Sequence, residues 1–209
     1  MLRVSFSVEG AEAASSAVSL KLGVAVAPEV PVHAALVRCE ARIEAARRGY
    51  TPGEQERLFD LFGEPARHAR TLRPLPWTQT TLLVPSFHGR VLVDLTLPCG
   101  TDFDGAVAKY FEALDDGEVP LSLLFSGTVF HARDDGGLQV SPLPWTSEAC
   151  GALPVSVYRD AYERHHGASA LLPIPRALYE RLRRYKKARG AATWAQAIDT
   201  LLDDHEAPR

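Results

Sequence analysis

The sequence predicts an α+β fold, an antiparallel β-sheet or sandwich of about seven or eight strands with embedded helices and a C-terminal helical hairpin. Several segments place apolar residues at every second position, which is typical of strands. One segment between two such strands instead repeats apolar residues at spacings of three and four, which is typical of an amphipathic helix. The final part of the chain carries two further helical stripes separated by Gly190.

Three alternating segments near the N-terminus predict the first strands, over residues 2–8, 18–26 and 35–43. Pro28 and Pro31 are expected to end the second strand, because proline has no backbone N–H for a sheet. In the third strand Cys39 falls on the apolar face, and the charged residues fall on the other face. It is therefore expected to be a buried, unreactive thiol.

The middle of the chain predicts a short helix, a loop and a hairpin. Thr51 and Glu54 form a capping-box pattern for the helix. Residues 64–78 contain three prolines and several arginines and are predicted to be a loop without regular structure. The strands 81–84 and 91–97 flank a short glycine-containing connection, which predicts a hairpin.

A helix over residues 103–114 is expected to lie on the sheet, with Thr101 and Asp104 as its capping pair. The strand that follows it has apolar residues on both faces as far as Phe130, which predicts a central strand covered on both sides. Residues 134–137 predict the turn of a hairpin. A last strand is predicted over residues 153–157.

The chain is expected to form a β-rich core over residues 1–167 and a helical hairpin over residues 168–209 packed on it. The first hairpin helix, residues 176–189, holds seven basic residues and a single acid. Gly190 is expected to end this helix, and Thr193 with Gln196 to cap the next.

Composition excludes some classes of function. The 209 residues have a net charge of −3, so no overall basic field draws the protein to nucleic acid or to an anionic membrane. No apolar run of membrane-spanning length occurs. The three cysteines are distant from one another, which fits free thiols in a reducing compartment. A cytoplasmic protein that does not bind a membrane is predicted.

No pattern in the sequence indicates a reaction. Clustered metal ligands, a nucleophile elbow and glycine-rich phosphate loops are all missing from the sequence. The paired acids Asp115-Asp116 and 134–135 lie near glycine and are interpreted as turn residues. We therefore predict no catalytic residue, metal ligand or cofactor.

Leu-Pro-Trp-Thr occurs twice and contains Trp77 and Trp145. Both indoles are expected to pack into the ends of the core. The alternative is that their rings form a binding surface for a ligand. As candidate contacts for a protein partner we select these two tryptophans and three basic residues of the penultimate helix, Arg181, Arg184 and Lys187.

The C-terminal segment resembles, in spacing, the ribbon-helix-helix family of dimeric DNA-binding repressors. The resemblance starts at Leu171 and continues through the basic helix, Gly190 and the capped second helix. In that family the strand reads the DNA major groove, whereas here it carries Pro173 and offers apolar side chains. A solvated hairpin that does not bind nucleic acid is the preferred interpretation, and a DNA-binding regulator is the alternative.

The motifs Gly63-Glu64-Pro65, Ala108-Lys109-Tyr110-Phe111 and the run 124–130 resemble an uncharacterised bacterial family, a domain of unknown function often encoded among accessory genes of nickel-iron uptake hydrogenases. A fainter similarity, through Gly117, Pro120 and the following leucines, is to the export chaperone SecB. The resemblance implies a non-catalytic accessory or chaperone-like protein that binds a protein partner. Partner identity and oligomeric state stay open.

Overall fold

The computed structural model describes residues 2–99, 105–133, 135–166 and 174–206. The chain divides into two compact units, residues 1–169 and 170–209. The helices and strands, in chain order, are β1 (Arg3–Ala13), β2 (Ala17–Ala27), β3 (Pro31–Ile43), α1 (Pro52–Arg57), α2 (Phe59–Phe62), α3 (His68–Thr71), β4 (Leu75–Val84), β5 (Phe87–His88), β6 (Arg90–Pro98), α4 (Gly105–Ala113), β7 (Glu118–Ala132), β8 (Leu138–Pro142), β9 (Glu148–Pro154), α5 (Val155–His166), α6 (Arg176–Arg189) and α7 (Trp194–Glu206).

The strands form two antiparallel sheets, which confirms the predicted α+β class. The first sheet has the order β1-β2-β6. The second has the order β4-β3-β7-β8, with β5 also paired to β3 and β9 also paired to β7. The long strand β7 is central, because β3 lies on one edge and β8 and β9 divide the other edge between them.

The inner faces of the two sheets share one hydrophobic core. Phe6 of β1 stacks on Phe125 of β7 with ring centroids 4.0 Å apart, which joins the sheets directly. Helices α4 and α5 add an aromatic cluster, in which Phe111 stacks on Tyr158 at 3.8 Å and both rings contact Trp77. Helix α4 thus packs on the core, as its apolar stripe predicts.

The predicted hairpin between residues 81–84 and 91–97 is wrong. These strands lie in different sheets, because β4 pairs with β3 whereas β6 pairs with β2. The connection carries the chain from one sheet to the other, and β5 within it pairs with the start of β3. Pro31 begins β3, where a missing N–H is tolerated, instead of ending the strand before it.

Three further features differ from the prediction. Residues 64–78 contain α3 and the start of β4, because Pro65 begins a 3₁₀ turn and does not prevent helical structure. The last strand ends at Pro154, so that Val155 starts α5. Strand β7 is not covered on both faces, since Ser126 on its outer face is exposed.

Some predictions fall on residues outside the described ranges. They include the capping pair Thr101 and Asp104, and the segment 171–173 that would be the strand in the ribbon-helix-helix resemblance. Elsewhere the predicted ends are confirmed: Thr51 and Glu54 form a complete capping box, and Gly190 ends α6 in the left-handed conformation with φ 65°. The Thr193 hydroxyl accepts from the Gln196 N–H at 3.1 Å, as a cap should.

We expect a thiol reagent to label Cys150 rapidly in the native protein and to leave Cys39 and Cys99 unmodified. Cys39 is fully buried, and burial raises its pKa to about 12, as it does for Cys99, whereas Cys150 is exposed. A buried neutral thiol is a poor nucleophile. Mass spectrometry after a short exposure checks this, with Cys150→Ser as the control that should take up no label. Rapid labelling of Cys39 would contradict its placement on the core face.

Candidate protein-binding surface

The outer face of the second sheet carries a contiguous apolar patch. Direct cross-strand pairs place Leu83 beside Leu36, and Phe130 between Ala34 and Val140. Paired residues in an antiparallel sheet point to the same face, with neighbouring strands about 4.8 Å apart. The apolar patch, as the term is used below, consists of Ala34, Leu36, Leu83, Phe130, Leu138 and Val140.

The large aliphatic side chains of the apolar patch are open to solvent. Leu36, Val140, Leu138 and Leu83 have exposed fractions of 51%, 55%, 61% and 69%. The patch crosses four neighbouring strands, which is three interstrand spacings or about 14 Å. Scattered exposed leucines are common on protein surfaces, but a contiguous group across several strands is typical of an interaction site.

The other end of the same sheet face is polar. Arg38, Glu40 and Arg42 continue β3 on the outer face, and Glu40 pairs with Arg42 at 2.6 Å. Gln79 and Thr81 lie opposite them on β4. The face therefore has an apolar end and a charged end.

Trp145 is the most exposed large apolar side chain among the described residues, with 93% of its surface open. It lies in the segment that follows β8, three residues after Pro142, whose cross-strand partner is Thr128. The expectation that Trp145 packs into the core is therefore wrong. Leu143, two residues earlier, is the side chain that turns inward and is buried. An indole in water is an apolar anchor without a partner.

Trp77 is buried, with 5% of its surface exposed, and the expected core role is confirmed for this indole. Its Nε1–H donates to the carbonyl of Pro98 at 3.0 Å, so its polar atom is satisfied. Trp77 thus links β4 to the end of β6. Of the two tryptophans selected as partner contacts, Trp145 alone presents its side chain at the surface.

Arg181, Arg184 and Lys187 are exposed on α6, within the C-terminal unit. Other charges of this helix are engaged: Arg183 pairs with Glu180 at 3.0 Å, and Arg189 pairs with Asp204 of α7. These three residues belong to the C-terminal unit, whereas Trp145 belongs to the residue 1–169 unit.

We expect no submicromolar binding of duplex DNA at about 200 mM salt. The acids of α7 oppose the basic helix, as the pair between Arg189 and Asp204 shows. Fluorescence anisotropy of a labelled duplex at about 50 and about 200 mM salt measures this. The repressor alternative would be favoured by tight binding that persists at the higher salt and disappears when Arg183, Arg184 and Lys187 become alanine.

A buried ion pair joins the helix α1 to the start of β7. Arg48 donates to the Glu54 carboxylate at 3.0 Å and to the carbonyls of Asp116 and Glu118. The side chains of Arg48 and Glu54 are 9% and 3% exposed. Within the described ranges, Nη1 of Arg48 is a buried atom without a hydrogen-bond acceptor, although its guanidinium lies over the Tyr50 ring at 5.2 Å.

The same ion pair sets the ionisation of Glu54. Burial alone would raise the pKa of this carboxyl group. Hydrogen bonds from Arg48 and from the N–H groups of Asp115 and Thr51 outweigh burial and hold the pKa below its ordinary value of 4.5. The carboxylate therefore closes the turn before β7, and we interpret the cluster as structural.

We expect the free energy of unfolding that Glu54 contributes to be present above pH 4.5 and to be lost as the pH falls through its lowered pKa. The sign follows because the unfolded chain binds the proton more tightly than the folded chain does. Urea denaturation of wild type and Glu54→Gln over this pH range measures the contribution. The two proteins should differ most at neutral pH and converge in acid, and a difference that grows in acid would contradict this assignment.

Across the described residues there is no group of three or more His, Cys, Asp or Glu side chains arranged to hold a metal ion. The part of the chain with assigned structure also contains no helix that is both long enough and apolar enough to cross a membrane.

A model for a family of unknown function, DUF6084, matches residues 1–209. The chain belongs to this family. No curated protein matches this chain. Among solved structures, a β-glucosidase from Kluyveromyces marxianus aligns with a TM-score of 0.22 and 9% identity. That alignment covers 71% of this DUF6084 chain and 15% of the β-glucosidase chain, and it carries no argument about function.

Proposed function

We propose that this DUF6084 protein is a non-catalytic accessory protein that binds a protein partner through the outer face of its second sheet. The observation that supports the proposal is the contiguous apolar patch, whose four large aliphatic side chains are each more than half exposed. Burying such side chains against a partner contributes about 25 cal/mol for each Å² removed from water.

The polar end of the face supports a specific interface over nonspecific hydrophobic association. Interfaces commonly have an apolar centre with a polar rim, and Arg38, Gln79 and Thr81 would form that rim on one side. The exposed Trp145 would add an aromatic anchor, the residue type enriched among the strongest contacts in interfaces.

The hydrogenase genes associated with the resembled family suggest which partner to test first. We propose that the partner is a subunit of a nickel-iron uptake hydrogenase, bound before it is assembled. A subunit that has not yet met its own partners exposes apolar surface, and this surface would cover the apolar patch.

The test is equilibrium binding of the purified protein to each hydrogenase subunit, measured by biolayer interferometry. The patch variant carries Leu36→Ser, Leu83→Ser and Val140→Ser. We expect it to bind at least about tenfold more weakly than wild type, because three apolar contacts are lost at once. Exposed positions tolerate such changes, so the thermal unfolding midpoint should be nearly unchanged.

A matched control uses an exposed leucine of the other sheet, Leu92 of β6, which is 57% exposed, and carries Leu92→Ser. This control should bind as wild type does. If wild type binds neither subunit, the hydrogenase assignment is wrong. If the patch variant and the control bind equally well, the apolar patch is not the binding surface.

A further inference from the structure

A cleft of about 420 Å³ lies beside the first half of β1. This volume is within the range of about 300–1,000 Å³ that is typical of ligand sites. One wall consists of five consecutive residues, Leu2 to Phe6, and the opposite wall consists of Pro144, Thr146, Ser147 and Glu148. The indole of Trp145 lies between two of these wall residues in sequence.

The cleft follows the edge of the strand and not one of its faces. Successive side chains of a strand point to opposite faces, so five consecutive residues can line one cavity only along the backbone edge. The other edge of β1 is paired with β2. No backbone hydrogen bond joins the open edge to any residue in the described ranges, although β9 lies alongside.

Ser147 of the opposite wall is not free to pair with this edge, because its N–H and its C=O both form other hydrogen bonds. The Ser147 N–H donates to the Pro144 carbonyl at 3.0 Å, and the Ser147 carbonyl accepts from the Phe125 N–H at 2.8 Å. In an antiparallel strand, alternate residues direct both their N–H and C=O groups to the same edge. Such unpaired groups on β1 are a template for one more strand.

We propose that the open edge of β1 binds a short extended segment of the partner polypeptide by strand addition. This inference rests on the proposed function and specifies the chemistry of the bound segment. Residues 2–6 span about 13 Å, which corresponds to a segment of about five residues.

The residues around the cleft specify an alternating segment. Val4 and Phe6 are half-buried against the core, whereas Arg3 and Ser5 are exposed. An added strand therefore places apolar side chains next to Val4 and Phe6 and polar side chains next to Arg3 and Ser5. Glu148 on the opposite wall is exposed and favours a basic residue on the polar side.

A single segment fits the cleft better than a second copy of this chain does. The β1 strand of another copy is hydrogen-bonded to β2 along its whole length and would bring that sheet with it. The segment from Pro144 to Glu148 lines the cleft together with β1, so a partner segment here contacts both. In the chain, Pro144 of the cleft follows Val140 of the apolar patch by four residues.

The experiment uses a synthetic parent peptide, acetyl-Thr-Val-Lys-Val-Thr-Val-amide. Two methylated isomers are compared with it: one carries N-methyl groups on the backbone nitrogens of residues 1, 3 and 5 of the peptide, and the other on those of its residues 2, 4 and 6. Methylation removes N–H donors without changing the side chains. Strand addition uses one set of donors only. We therefore expect one isomer to bind at least about tenfold more weakly than the parent peptide and the other to bind equally well.

Two protein variants complete the design. Thr146→Trp fills the cleft and should abolish peptide binding, whereas the same change at an exposed threonine outside the cleft, Thr96→Trp of β6, should leave peptide binding unchanged. The patch variant with Leu36, Leu83 and Val140 replaced by serine should still bind the peptide. Loss of subunit binding and loss of peptide binding can thus be told apart, and each proposal fails on its own measurement.

Hydrogen exchange of the full chain gives an independent readout. Alternate amide protons among residues 3–7 should exchange more slowly when the peptide is present. The proposal is overturned if the parent peptide does not bind, or if both methylated isomers bind equally. It is also overturned if these amides become protected as protein concentration rises without peptide and the mass doubles, because a second copy then occupies the edge.

Discussion

Replacing Gly127 by alanine is expected to abolish stable folding of the residue 1–169 unit. Gly127 lies in the middle of β7 with φ 148°, a conformation that residues with a side chain rarely adopt. A Cβ atom there would lie 2.1 Å from the carbonyl oxygen of Leu36 and 3.1 Å from Val37 Cα. Both atoms belong to the backbone of the paired strand β3, so neither can move aside without breaking the sheet.

We expect the loss to exceed about 4 kcal/mol, which is at the extreme of single substitutions. Circular dichroism during heating, together with the soluble yield, measures it. Gly10→Ala is the matched control within a strand, because a Cβ atom there meets only the Lys21 side chain at an ordinary 3.9 Å. Cooperative unfolding of Gly127→Ala at the wild-type temperature would show that β3 and β7 are farther apart than described.

Phe125→Ala is expected to lower the free energy of unfolding by about 3–5 kcal/mol. Phe125 is 3% exposed, and its ring stacks on Phe6 at 4.0 Å with an interplanar angle of 18°. Truncation leaves a cavity between two sheets whose backbones are held by their own hydrogen bonds. The site therefore cannot collapse to fill it.

Urea denaturation of Phe125→Ala and Leu124→Ala tests the assignment of inner and outer faces. Leu124 is adjacent in sequence but points to the outer face and is half-buried, so its truncation should cost about 1 kcal/mol or less. An equal cost for the two variants would contradict the assignment of Phe125 to the space between the sheets.

Part of the candidate surface left a signal in the sequence. Leu36 has the same phase along β3 as Arg38, Glu40 and Arg42, so it is an apolar residue on a polar face. That irregularity could have identified it as exposed. Leu83 and Val140 left no comparable signal, because their strands are short or mixed in polarity, and only the pairing of β4 and β8 to the sheet shows where they lie.

The cleft beside β1 could not be found from sequence. Alternation predicts that Val4 and Phe6 face the core, and they do pack on it. It does not say whether the second edge of the strand is paired, since pairing depends on which strand the fold brings alongside. Here β9 lies next to β1 without a backbone hydrogen bond between them in the described part of the chain.

The sequence by itself determined three local features: the strand alternation that buries Cys39, the capping box at Thr51 and the end of α6 at Gly190. These follow from side-chain patterning and backbone conformation within a few residues. Only the tertiary structure decided that β4 and β6 belong to different sheets, that Gly127 must lack a Cβ atom and that Trp145 lies in water. Each of these depends on contacts between residues far apart in the chain, which local periodicity does not encode.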